Sequence, residues 1–77
     1  MILHTFGTYT PTVSLEEAQK LVGGYVGIRN LPSGDQILFD EDGEMKSLEY
    51  NEDASNKAGF TLLGDCILLT GAARWID

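Results

Sequence analysis

The chain has 77 residues, 43% of them hydrophobic, and a formal charge of −7 from 12 acids against 5 bases. That length holds one domain, and that apolar content excludes an intrinsically disordered chain. The acidic balance disfavours direct binding to a nucleic-acid backbone, which needs a basic face, and no apolar run approaches the roughly 20 residues of a membrane span.

A domain this small hides only roughly 60% of its unfolded surface, so its stability is modest and a second copy or another partner carries weight. The opening Met1-Ile2-Leu3-His4-Thr5-Phe6 lacks the basic start and the length of a signal peptide. Cys66 is the single cysteine, so no internal disulfide forms, and the expected compartment is a reducing cytosol.

Residues 1–6 read as a strand, with Ile2, His4 and Phe6 on one side and Met1, Leu3 and Thr5 on the other. Gly7 to Thr12 reads as a loop, because Gly7 and Pro11 break regular structure. Ser14-Leu15-Glu16-Glu17 is a capping box, and Val13 with Ala18 forms a hydrophobic staple. Leu15, Ala18, Leu21 and Val22 share one face at helical spacing, and Glu16 pairs with Lys20 on the outside. The helix stops at Gly23-Gly24, since a residue able to adopt the left-handed conformation ends a helix most cheaply.

Tyr25 to Leu31 is a strand, and Gly27 inside it signals a bulge or the close approach of another group. Leu31-Pro32-Ser33-Gly34 is a turn, and Gln36 to Asp40 returns as the next strand. Asp42-Gly43 signals a tight hairpin into a strand over Met45 to Leu48. Asn51 caps a second helical turn near 52–58 that Gly59 ends. Phe60 to Leu63 and Cys66 to Thr70 are two further apolar runs. Cys66-Ile67-Leu68-Leu69 lacks alternation and is therefore the candidate central strand, buried on both faces. The tail extends that strand or lays Trp75 over an edge. The expected class is α+β: one domain over 1–77, a short helix packed on an antiparallel sheet of four to five strands.

The chemistry-bearing residues form no catalytic constellation. Asp40, Asp42 and Glu49 fall at the third, fifth and twelfth positions of a calcium loop, but Leu38 stands at its first position, so the turn reads as an acidic hairpin with no metal. His4 is the single histidine and has no zinc-ligand partner at a suitable spacing. Cys66 lies in an apolar run, where a thiol is inert. Gly23-Gly24-Tyr25-Val26-Gly27 follows a helix instead of preceding one, so the negative helix end faces it and a phosphate cradle is disfavoured. No nucleophile, base and orienter can be placed together, so the chain reads as no enzyme and carries no cofactor.

Eight of the twelve acids lie between Asp35 and Asp53, opposed there only by Lys46. The candidate partner-binding residues are Asp40, Glu41, Asp42, Glu44, Glu49, Glu52 and Asp53, with Tyr50 and Trp75 as aromatic anchors. A basic protein surface is the fitting partner, and a second copy of the chain is another. Tyr25, Gly27 and Arg29 are the candidate residues of an alternative small-ligand site, in which a nucleotide signal is sequestered at a self-assembled interface.

In order along the chain stand Leu21-Val22-Gly23-Gly24-Tyr25-Val26, Leu31-Pro32-Ser33-Gly34, Asp40-Glu41-Asp42-Gly43, Asn51, Leu63-Gly64-Asp65 and Ile67-Leu68-Leu69. This ordered set resembles a family of small uncharacterised proteins found mainly in bacteriophage genomes, with a VGGYIE, LPDG, NEEG, LPxN, VGDxVV pattern over roughly residues 15–75. Asp40, Glu49 and Gly27 depart from the family's Asn, Pro and acid at those places. The resemblance implies an α+β phage protein acting in the host bacterial cytoplasm, and it brings no catalytic residue with it. The expected function is an accessory protein that binds a host protein, to antagonise a defence system or redirect a host enzyme.

Overall fold

A computed structural model describes residues 1–7 and 12–75. Its elements are β1 (Leu3–Phe6), α1 (Leu15–Val22), β2 (Val26–Asn30), β3 (Gln36–Asp40), α2 (Glu52–Ala58), β4 (Cys66–Leu69) and a 3-10 turn over Gly71–Ala73. The four strands form one sheet in the order β1-β4-β3-β2. The fold is α+β, as expected, with both helical segments in place. Most of the expected loop at 7–12, with Tyr9 and Pro11, lies outside the described residues.

The local signals behave as elementary helix physics requires. The Ser14 hydroxyl accepts from the Glu17 amide at 3.1 Å, and Val13 and Ala18 are both buried in one cluster. The Glu17 carboxylate meets the Ser14 hydroxyl at 3.2 Å. Gly23 ends α1 at φ 88, and its amide returns to the Gln19 carbonyl. Asn51 caps α2 from its side-chain oxygen, and Gly59 ends it at φ 82. Leu15 departs from its expected face: it is 55% exposed, while Ala18 and Val22 carry the burial. The Glu16–Lys20 pair is not formed; among the described residues the one ion pair joins Lys46 to Asp40.

β4 lies inside the sheet and is buried along its whole length. Its side chains alternate between two cores, which is why its sequence shows no polar alternation. Ile67 and Leu69 join Val13, Ala18, Val22 and Leu38 beneath α1. Cys66 and Leu68 join Leu31, Ile37, Ala54 and Leu62 beneath α2. The sheet is thus a middle layer with a helix on each face, and each short helix is held by the apolar stripe it buries.

Several expectations are corrected or sharpened. The sheet is mixed, because β1 runs parallel to β4 while the other pairings are antiparallel. Parallel neighbours need a long crossover, and here nearly the whole domain supplies it. No strand forms over Met45 to Leu48: the Asp40 carboxylate takes the Asp42 amide at 2.8 Å, and residues 41–47 coil through successive turns. Phe60 to Leu63 pairs only through an isolated bridge between Leu63 and Tyr50, since the Leu62 amide bonds the Ser55 hydroxyl at 2.8 Å. The tail does not prolong β4 but turns at Gly71–Ala73 and lays Trp75 against the α1 core.

Candidate functional site

The acidic segment begins where β3 ends and finishes in the first turn of α2. Two buried polar side chains hold its ends. Asp40 is 4% exposed and accepts from Lys46 Nζ and the Asp42 amide, each at 2.8 Å. Lys46 also donates to the Gly23 carbonyl at 3.1 Å, which ties the segment to the C-terminus of α1. A Cβ at Gly24 would lie 2.5 Å from Lys46 Nζ and 3.0 Å from an Asp40 oxygen, so a side chain there would displace the lysine head from this pair.

At the other end Asn51 is 1% exposed. Its amide nitrogen donates to the Ile2 carbonyl at 3.0 Å and to the Gly64 carbonyl at 2.8 Å. Its side-chain oxygen accepts from the Ala54 amide at 3.1 Å. One side chain therefore fastens β1, α2 and the approach to β4, with every hydrogen-bonding atom satisfied.

Between the anchors the chain is displayed to solvent. Glu41, Glu44, Glu49, Glu52 and Asp53 are exposed, and Asp42 is half-buried. None of the six has an ion-pair partner among the described residues. Met45 is 86% exposed and Tyr50 55% exposed within this run of acids. Met45 was not legible as a candidate, because the hairpin reading placed it in a strand. Its exposure follows from the turns that replace that strand.

The candidate residues do not all share this surface. Asp40 leaves it, because its carboxylate is buried against Lys46. Trp75 is half-buried, donates from its ring nitrogen to the Val13 carbonyl at 2.9 Å, and is bound through its backbone to the Gln36 amide group on both sides. These contacts fasten the segment after the 3-10 turn to the α1 core, away from the acidic run. Arg74 is likewise engaged, donating to the Gly34 carbonyl at 2.9 Å.

Tyr25, Gly27 and Arg29 are not brought into one cavity. Tyr25 lines a cleft of about 380 Å³ with Gln19, Gly24, Asp42 and Lys46. Arg29 lines a different cleft of about 170 Å³ and stacks on Phe60 at 4.9 Å from the ring centre. Gly27 makes no bulge; the β2–β3 register is regular, and the Phe39 ring lies where a Cβ would stand, at 2.7 Å. The calcium-loop positions are strand and turn, with Leu38 fully buried in β3.

No family model, curated protein or solved structure matches this chain. The reading of the site therefore rests on its own geometry. His4 is half-buried on β1, and Cys66 is fully buried on β4. Burial pushes the Cys66 thiol up to about 11, and the neighbouring Asp65 charge adds to that rise. Such a thiol is a core side chain and a poor nucleophile. Among the described residues no group of three or more acidic, histidine or cysteine side chains is arranged to hold a metal ion, and no helix is long and apolar enough to cross a membrane.

Proposed function

We propose that this protein is a small non-catalytic binding protein whose Glu41 to Asp53 surface docks on a basic face of a host protein. The observation that carries the reading is the fate of Lys46. It is the sole base in that segment, and it is spent on the buried Asp40. The six remaining acids have no ion-pair partner among the described residues and stand around exposed Met45 and Tyr50. Uncompensated charge steers encounter with an oppositely charged surface, while methionine and tyrosine supply apolar contact area once docked. The resemblance of its ordered motifs to those of small bacteriophage proteins supports a host bacterial protein as the partner and the host cytoplasm as the place of action. Antagonism of a defence system or redirection of a host enzyme is the proposed outcome.

The test compares the natural chain with a Glu44→Lys/Glu49→Lys/Glu52→Lys variant as bait in host lysate, with mass spectrometry of what is retained. The expected result is a saturable, salt-sensitive basic protein retained by the natural chain and released by the variant, with both baits equally folded by circular dichroism. Retention of the same partner by both baits, or no saturable partner on the natural chain, rules the reading out.

A further inference from the structure

β2 is an edge strand. The Tyr25 carbonyl accepts from the Glu41 amide at 3.0 Å, and the Leu31 amide donates to the Asp35 carbonyl at 2.8 Å. Those two bonds set the alternation of the ladder: residues 25, 27, 29 and 31 turn their backbone groups toward β3. Val26, Ile28 and Asn30 turn theirs outward, where they meet no backbone partner among the described residues. A regular edge of this kind is a template for another strand unless a proline, a bulge, a lysine or a covering loop blunts it. β2 contains no proline or lysine, and its register with β3 has no bulge. Ile28 on this strand is 46% exposed, and the neighbouring Tyr25 is 72% exposed.

We infer that the free edge of β2 pairs antiparallel with the same edge of a second copy, about a two-fold axis at Ile28, so that Arg29 of each copy meets Glu41 of the other across Gly27. In this register Ile28 faces Ile28 and Val26 faces Asn30, all through outward-facing backbone groups. Gly27 faces Arg29 as the closer, non-hydrogen-bonded pair. Gly27 has no side chain to obstruct the arginine, and the Glu41 side chain already lies over it, its Cγ 3.0 Å from where a Cβ would stand. Among the described residues neither Arg29 nor Glu41 has an ion-pair partner, and Arg29 lies over the Phe60 ring. A shift by two residues sets Arg29 against Arg29 or Gly27 against Gly27 and shortens the ladder, so charge and length select the same register. The interface is isologous and joins two four-stranded sheets into one.

Analytical ultracentrifugation over a concentration series, with amide hydrogen exchange, tests this. The expected result is a reversible species of twice the 8.4 kDa chain mass, with concentration-dependent protection of the Val26, Ile28 and Asn30 amides. Arg29→Glu and Glu41→Arg each oppose like charges, and each weakens dimerisation about tenfold or more. The Arg29→Glu/Glu41→Arg double variant restores it, which a variant that merely misfolds does not do. A monomer at every concentration overturns the proposal. So does a dimer whose protection maps elsewhere, or one that the two single variants leave unchanged. The acids reversed in the host-partner test are not used here, so the two readings fail separately.

Discussion

Asp40 and Glu41 are neighbouring acids with opposite fates. Asp40 ends β3 on the α1 face, is buried, and serves as an anchor for Lys46 and the Asp42 amide. Glu41 stands exposed one residue later. The same contrast repeats at the far end, where buried Asn51 is followed at once by exposed Glu52 and Asp53. The segment is therefore two polar anchors with a display between them. Formal charge is no guide to which acid belongs to which class; the hydrogen bonds and burial of each side chain decide it.

The contrast predicts where substitutions act. Asn51→Ala has the largest expected effect, about 3 kcal/mol of lost stability, from one helix cap and two further hydrogen bonds of a buried side chain at roughly 1 kcal/mol each. In a domain of this size that lowers Tm by about 12 °C or more in calorimetry. Asn51→Asp sharpens the point: it keeps the capping oxygen but loses the donors to Ile2 and Gly64, so a loss close to that of alanine assigns the stability to the bridge. Asp40→Ala comes next at about 2 kcal/mol, because a charge-assisted bond and an amide bond vanish from a buried place. Lys46→Met costs a similar amount, about 2 kcal/mol, because it leaves the buried Asp40 carboxylate without its counter-ion, although the lysine itself is 41% exposed. Urea denaturation of these variants ranks them. Equal effects for Asp40→Ala and Glu41→Ala dissolve the contrast.

Cys66 adds a pH-dependent test of the core that the anchors close. Its folded value is raised to about 11 from an ordinary 9.0, so the folded state disfavours the thiolate. The resulting contribution to stability is complete below pH 9 and is lost as pH rises toward 11. A Cys66→Ala variant shows less decline across that window, and the natural thiol resists alkylation until urea exposes it. The smallest stability effect belongs to the displayed acids. Reversing Glu44, Glu49 and Glu52 changes stability by about 0.5 kcal/mol or less, while abolishing partner capture. A large loss of stability there moves those acids from the display to the anchors.

Much of the helical structure was legible because its signals are local. Ser14 and Glu17, Asn51 and Ala54, Gly23 and Gly59 interact with residues three or four positions away. The stretch Met45 to Leu48 was misread as a strand because Asp42-Gly43 has the residues of a hairpin, and the capture of the Asp42 amide by Asp40 diverts it into further turns. Of the candidate interface, the acids from Glu41 to Asp53 were visible as a charge run. The engagement of Asp40 and Trp75 within the fold was not, since both depend on contacts across it: Lys46 and the end of α1 for the one, Val13 and Gln36 for the other.

The sequence by itself determined the two caps and stops of the helices and the unalternating strand Cys66 to Leu69, because each follows from neighbours in the chain or from a period along it. Tertiary structure alone decided that β1 lies parallel to β4, that a helix covers each face of the sheet, and which polar groups are buried. Pairing direction and burial are relations between segments distant in sequence. A glycine such as Gly27 shows the limit: its place in a strand was plain from the sequence, but the Phe39 ring that occupies the space of its missing side chain was not.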